Sequence, residues 1–255
     1  MKRFLCASGF FLILALGVFA SGQDENQQQT VTASSVQEPM NLRYAYGGPN
    51  QGAFAQANQW FCDELSRRTN GKINVTIHWG GTLVSQADTL TSVGKGVVDM
   101  GAAMGGSTVS QNPNWSTLSM VGAGKDQWAI MWATYEMIHN NTAILAEMDR
   151  HNVVATHGYF PGTPILVLRK KVNSINDLKG LRIRAATPDE AAAWAKLGVE
   201  TVQIAPFDVY DAISKGVIDG CLFTVAWADT LKLGEVAKYW YRFADNLLGG
   251  DVTTV

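Results

Sequence analysis

The chain has 255 residues, of which 47% are hydrophobic and 16% charged, enough to bury one large core or two modest ones and inconsistent with a disordered protein. Its formal net charge of −2, without any long Lys/Arg run, leaves no electrostatic footprint for DNA or RNA.

Lys2 and Arg3 precede an apolar run from Phe4 to Ala20, followed by small residues. That is the layout of a secretory signal peptide, residues 1–20; the alternative, a membrane anchor, meets the difficulty that about 17 apolar residues are at the short limit for a bilayer. Cys6 sits too early for a lipoprotein cleavage point. Residues 21–40, rich in Gln, Ser and Thr, read as a disordered tether. After cleavage Cys62 and Cys221 remain, so one disulfide is arithmetically possible without being implied; Cys62, within a predicted amphipathic helix, reads better as a small buried side chain, and Cys221 follows the second repeat's strand.

From Asn41 onward strand and helix patterns alternate, which predicts a largely parallel sheet with helices on its faces. Leu42–Tyr46 reads as a strand closed by Gly47-Gly48-Pro49. A helix from about Gln51 to Thr69 follows, with Phe54, Ala57, Phe61 and Leu65 as its core stripe, stopped by Asn70-Gly71. Lys72–Trp79 alternates as a strand, and Ser85 with Asp88 resembles a capping box. Residues 126–151 predict one long or broken helix whose aromatic stripe, including Trp128, Trp132 and Tyr135, is expected in the core. Strands are expected over Val153–Phe160 and Ile165–Leu168, on either side of a crossing at Pro161-Gly162. Leu181–Arg184 is a further strand. Thr187-Pro188-Asp189-Glu190 combines an N-cap, a proline at the first helical position and a capping-box glutamate.

Two segments nearly repeat each other. Asp88-Thr-Leu-Thr-Ser-Val-Gly-Lys-Gly-Val-Val-Asp-Met100 returns 120 positions later as Asp208-Val-Tyr-Asp-Ala-Ile-Ser-Lys-Gly-Val-Ile-Asp-Gly220. Each reads as a short helix ending at a glycine able to take the left-handed conformation, then an apolar strand. Two such units in one chain predict two similar α/β lobes, an arrangement suited to holding something between them.

No nucleophile elbow, phosphate loop or dinucleotide fingerprint is present. Gly105-Gly106-Ser107-Thr108-Val109 lacks the second glycine of an elbow, and His78, His139, His151 and His157 never stand at metal-ligand spacing. No cofactor or metal is expected, and binding is favoured over catalysis. Arg182 and Arg184 lie on one side of their strand. Arg182 is expected to be solvated or paired. Arg184 sits at the carboxyl end, the edge where open α/β sheets receive ligands, and its guanidinium matches a carboxylate.

Several segments together resemble the solute-binding proteins of tripartite ATP-independent periplasmic (TRAP) transporters, of the dicarboxylate-binding DctP type. They are Glu64-Leu-Ser-Arg-Arg-Thr-Asn-Gly-Lys-Ile73, the Lys-Gly-Val-Val-Asp block, Ile175-Asn-Asp-Leu-Lys-Gly-Leu-Arg-Ile-Arg184, Phe207 to Gly220, and Glu235-Val-Ala-Lys-Tyr239. The resemblance implies a two-lobed, Venus-flytrap periplasmic binding fold: a first lobe over 41–160, a second over 161–245, and the start of a return crossover at 246–255. The C-terminal part of the family fold is expected to be missing.

It also implies a monomeric, non-enzymatic protein that captures a small organic acid and delivers it to sodium-coupled TRAP permease subunits. It places the family's principal carboxylate-binding arginine on Arg184. A second family arginine falls on Pro164, and a polar residue of acid-sugar binders falls near Phe223. The Glu-Trp pair of metal-binding relatives has no match in Cys221-Leu222-Phe223. One arginine in a pocket lined by Phe223, Trp227, Tyr46 and Tyr159, with Gln51 at the start of the first helix, points to an apolar or aromatic monocarboxylate. A ligand-sensing receptor domain would share the fold, and a secreted α/β hydrolase is the reading from another class.

Overall fold

The structure is a computed structural model that describes residues 38–105, 108, 110–119, 126–159, 162–242 and 252–254. The expected signal peptide and nearly all of the expected tether, Pro161 and most of the return crossover lie outside the described residues.

Among the described residues, ten strands form two five-stranded sheets. The first lobe contains β1 (Met40–Ala45), α1 (Gly52–Arg68), β2 (Ile73–His78), α2 (Thr89–Gly94), β3 (Met100–Ala103), α3 (Pro113–Ser116), α4 (Gln127–Asn140), α5 (Thr142–Arg150) and β4 (His157–Tyr159). The second contains β5 (Pro164–Leu168), β6 (Arg182–Ala185), α6 (Pro188–Ala195), β7 (Glu200–Gln203), α7 (Val209–Ser214), β8 (Gly220–Thr224), α8 (Val225–Thr230) and β9 (Tyr239–Arg242). A last strand, β10 (Val252–Thr254), belongs to the first sheet.

The sheet orders are β2-β1-β3-β10-β4 and β7-β6-β8-β5-β9, the same arrangement twice. In each, one strand runs against the others: β10 is antiparallel to β3 and β4, and β5 to β8 and β9. Each reversed strand is the first that the chain makes after leaving the other sheet, so it enters from the opposite direction. Alternating strand and helix patterns carry no record of that reversal, and the expected largely parallel sheet becomes a mixed one.

The repeated segments are α2–β3 and α7–β8. Both helices close with the same pair of bonds, Gly96 N–H to Val93 O and Val97 N–H to Ser92 O, matched by Gly216 N–H to Ile213 O and Val217 N–H to Ala212 O. Gly96 and Gly216 take φ of 70° and 74°, as this C-terminal motif requires. The likeness extends beyond the repeated residues. Asp99 accepts from the Arg43 backbone N–H at 2.8 Å and from its Nε at 3.0 Å. Asp219 accepts from the Arg182 N–H at 2.9 Å and stands 3.5 Å from its Nε. Each aspartate ties the strand after its helix to the lobe's founding strand, and the match places Ala45 opposite Arg184.

The helix predicted over 126–151 as long or broken is broken, at Asn141, whose Oδ1 accepts from the Ala143 and Ile144 N–H groups and so starts α5 as α4 ends. Its aromatic stripe corrects the expectation of a core role. Trp128 and Trp132 are 70% and 65% exposed and Tyr135 is exposed too, while Ile130, Thr134 and Ile138 face the interior. Periodicity identifies a face; α4 is apolar enough all round that it does not say which face turns inward. Val153–Thr156 is irregular, leaving only β4 of the longer strand expected there. The Thr187 cap forms as predicted, its hydroxyl accepting from Glu190 N–H, while the Glu190 carboxylate reaches back to the Ala186 N–H rather than to the cap itself. Cys62 and Cys221 are both free and buried.

The first-lobe core gathers Leu90, Ala103, Trp115, Ile144, Met148 and Val153. Beside it the buried Glu147 carboxylate accepts from the backbone N–H groups of Asn114 and Trp115 and from the Asn114 amide, at 2.7–2.9 Å, neutralising the open start of α3. The second-lobe core joins Val167, Ile213, Ile218 and Leu233. A third cluster draws on both lobes: Tyr44, Tyr46, Cys62, Met100, Ala102 and Trp227, with Phe54, Phe207, Phe223 and Leu231 against it.

Candidate functional site

Arg184 stands in β6 in register with Val202 of β7 and Cys221 of β8. Alternation along the strand sends Ile183 into a separate cluster with Leu166, Leu168, Leu178 and Trp194, and both arginines to the other face of the sheet. Their surroundings then differ. Arg182, at the strand's start, has a side chain 42% exposed, donates to Gly216 O at 2.8 Å and faces Asp219. Arg184 is only 6% exposed. Its Nε donates to Ile204 O at 3.1 Å, and its guanidinium carbon lies 5.0 Å from the centre of the Phe223 ring. Among the described residues no carboxylate stands within ion-pair distance of it. Burial holds its pKa below the usual arginine range, partly offset by the charge of Glu190 and by Cys221. A buried cation of this kind, with one backbone acceptor and an aromatic face, still has donors to offer an anion.

From Phe223 the aromatic cluster continues across to the first lobe. Trp227 is buried, 4.6 Å from Phe54 of α1 and 5.7 Å from Phe207, ring centre to ring centre. Tyr46 is buried just past β1, with its ring edge-on to Trp79 at 5.3 Å and to Tyr44 at 6.3 Å. Arg184, Phe223, Trp227 and Tyr46 are thus joined through one chain of contacts. Gln51 is the residue before α1, yet it caps nothing with its side chain; its Nε2 donates instead to Thr230 O of the second lobe at 3.0 Å. Tyr159 ends β4 by its backbone, and its side chain lies outside the described residues.

Phe54, Phe207 and Trp79 belong to this cluster and were absent from the sequence-derived set. Their signal was positional: each follows the carboxyl end of a strand or begins the helix after it, the edge at which α/β sheets place their ligands. Gly47 shows how tightly the lobes approach, since a Cβ there would collide with Gln86 Oε1 and come within 3.1 Å of Phe207 Cε2.

A cavity of about 490 Å³ opens on the same seam, between Gly47, Pro49 and Gln51 on one side and Phe207, Tyr210 and Thr230 on the other. Arg184 does not line it. Another hollow, of about 420 Å³, lies among Glu38, Met40, Arg68 and Lys72, at the opposite end of the first sheet from the aromatic cluster. Burial pushes the Cys221 thiol up to about 12, with Arg184 opposing, and the Cys62 thiol up to about 11, with Asp63 adding to the rise. No helix among the described residues is long and apolar enough to cross a membrane.

Comparison with known proteins agrees with this architecture. The profile of the bacterial extracellular solute-binding proteins, family 7 (DctP), matches residues 46–254, and the chain belongs to that family. An uncharacterized protein, y4mM of Sinorhizobium fredii, is 27% identical over the whole chain, which spans 47% of it. DctP7 of Bordetella pertussis, an extracytoplasmic solute receptor binding pyroglutamic acid, superposes with a TM-score of 0.73 at 21% identity, covering 85% of this chain and 70% of that one. A TRAP solute-binding protein of Rhodoferax ferrireducens, in complex with copurified benzoate, gives 0.76 at 20% identity, covering 84% and 67%. Other solved neighbours carry galacturonate, 3-hydroxybenzoate or L-malate. At these identities the superpositions establish the two-lobed fold. The chain spans about half to two thirds of the length of the curated relatives it matches.

Proposed function

We propose that this chain is the solute-binding component of a TRAP transporter, that it works in the periplasm without catalysing a reaction, and that it presents a small organic acid to sodium-coupled permease subunits. The ligand's carboxylate is held by Arg184 and its body by Phe223, Trp227 and Tyr46. Gln51 contributes at the lobe seam, and Tyr159 is the remaining candidate. The observation that carries this reading is the burial of Arg184 beside Phe223 with no carboxylate partner among the described residues. A cation withdrawn from water without a counter-charge is costly as a structural element and useful as a receptor for an anion.

We read the ligand as a monocarboxylate with an apolar or aromatic body. The second-arginine position holds Pro164, which is buried in β5, and the first-lobe position matching Arg184 is Ala45, so the repeated frame supplies one guanidinium rather than two. Aromatic rings add offset or edge contacts worth about 0.5–1.5 kcal/mol beyond area, enough to rank acids with planar bodies above sugars. The benzoate and pyroglutamate complexes of the fold neighbours fit such a reading, and the galacturonate and malate complexes mark the alternatives to be tested. Calorimetry against benzoate, pyroglutamate, a branched 2-oxo acid, L-malate and D-galacturonate, side by side, is the test. A preference for malate or galacturonate refutes the monocarboxylate reading, and no binding of any acid refutes the receptor reading.

A further inference from the structure

Where α1 meets α8 the lobes touch through one residue that is both tightly packed and poorly satisfied. Thr230 closes α8 and is 4% exposed. Its backbone carbonyl accepts from Gln51 Nε2 of the first lobe at 3.0 Å. Its side chain lies directly on Gly52, the first residue of α1: a Cβ there would collide with Thr230 Oγ1 and sit 3.1 Å from its Cβ. Gly52 also holds φ at 81°, so a glycine suits this place for two reasons. Oγ1 itself is buried and has no hydrogen-bond partner among the described residues, although a threonine in a helix ordinarily has the preceding turn's carbonyls within reach.

Resting on the receptor reading above, we propose that Thr230 is a brake on lobe closure that sets the affinity for the trapped acid. With the lobes together, the Gln51 bond and the Phe54–Trp227 contact favour closure. Oγ1 opposes them, because closing strips its water and the glycine surface opposite offers no acceptor. Separating the lobes rehydrates it. A buried hydroxyl left unpaired weights an equilibrium against the buried form by roughly fivefold to 150-fold. The ligand has to supply that factor, and its apparent affinity falls with the fraction of protein able to close. The brake thus keeps the ligand-free protein open to entering solute.

Spin labels at Lys95→Cys and Lys215→Cys, exposed positions that correspond in the two repeats, report the separation of the lobes; Cys62 and Cys221 are buried. Without ligand, Thr230→Val, which keeps the shape and removes the hydroxyl, is expected to move the distance distribution to the closed value. Thr230→Ser is expected to match the parent, and Gln51→Ala, an exposed site whose replacement leaves packing intact, to move it the other way. With benzoate as the probe, Thr230→Val should bind at least threefold tighter than the parent. A Thr230→Val distribution identical to the parent's, or a Thr230→Ser shift equal to that of valine, overturns the proposal. The ligand-free distances decide it alone, so a parent that closes as described but binds no acid sinks the receptor reading and leaves the brake standing.

Discussion

Arg184→Met separates the stability of the protein from its capacity to bind an acid. In the folded chain the guanidinium is withdrawn from water, keeps one bond to Ile204 O and the face of Phe223, and has no described counter-charge. Burial lowers its pKa, which means that folding works against the charged form at every pH below the folded value, neutral pH included. Methionine fills much of the same space without the charge. The ligand-free melting temperature should therefore rise, by about 2–4 °C for each kcal/mol of desolvation relieved in a domain of this size. Binding should move oppositely. A charge-assisted pair in a desolvated cleft contributes on the order of 2–5 kcal/mol, so affinity should fall by roughly thirtyfold to several thousandfold. Differential scanning fluorimetry with and without the best acid of the panel, followed by calorimetry, reads both quantities on one preparation. Arg182→Met is the control, since that side chain already has Asp219 and Gly216 as partners. A variant that melts lower and still binds would mean that Arg184 is a structural cation, and the site would have to be sought elsewhere on the seam.

Asp99→Asn should flatten the acid limb of stability. The Arg43 guanidinium and backbone N–H hold the Asp99 carboxyl below its ordinary value, so its contribution is present above about pH 4 and is lost as pH falls through the folded value; being partly exposed it amounts to about 1 kcal/mol or less, measurable by urea titration at pH 3–6. Glu147→Gln should cost about 1–3 kcal/mol in denaturant unfolding. Burial pushes this carboxyl up, but the N–H groups of Trp115 and Asn114 and the Asn114 amide bring it below its ordinary range, and a glutamine amide would turn a donor toward donors. Trp128→Gln and Trp132→Gln should each change stability by less than about 0.5 kcal/mol, as exposed positions do, whereas a core tryptophan would cost about 3–5 kcal/mol on truncation.

The two-lobed frame was legible in the sequence because its determinants are local. Alternating periodicities mark strands and helices, and a Lys-Gly step after a short apolar helix encodes the left-handed C-terminal turn seen at both Gly96 and Gly216. The placement of Arg184 near the carboxyl end of its strand was also legible, since two-residue alternation and strand position are properties of a single segment. Tertiary structure decided what depends on pairing between distant segments. It reversed β5 and β10 within their sheets and turned the α4 tryptophans outward. It brought Phe54, Phe207 and Trp227 together and set Gln51 against Thr230, 179 positions away. Local periodicity says that a residue has a preferred face. What that face meets is settled by how the lobes pack.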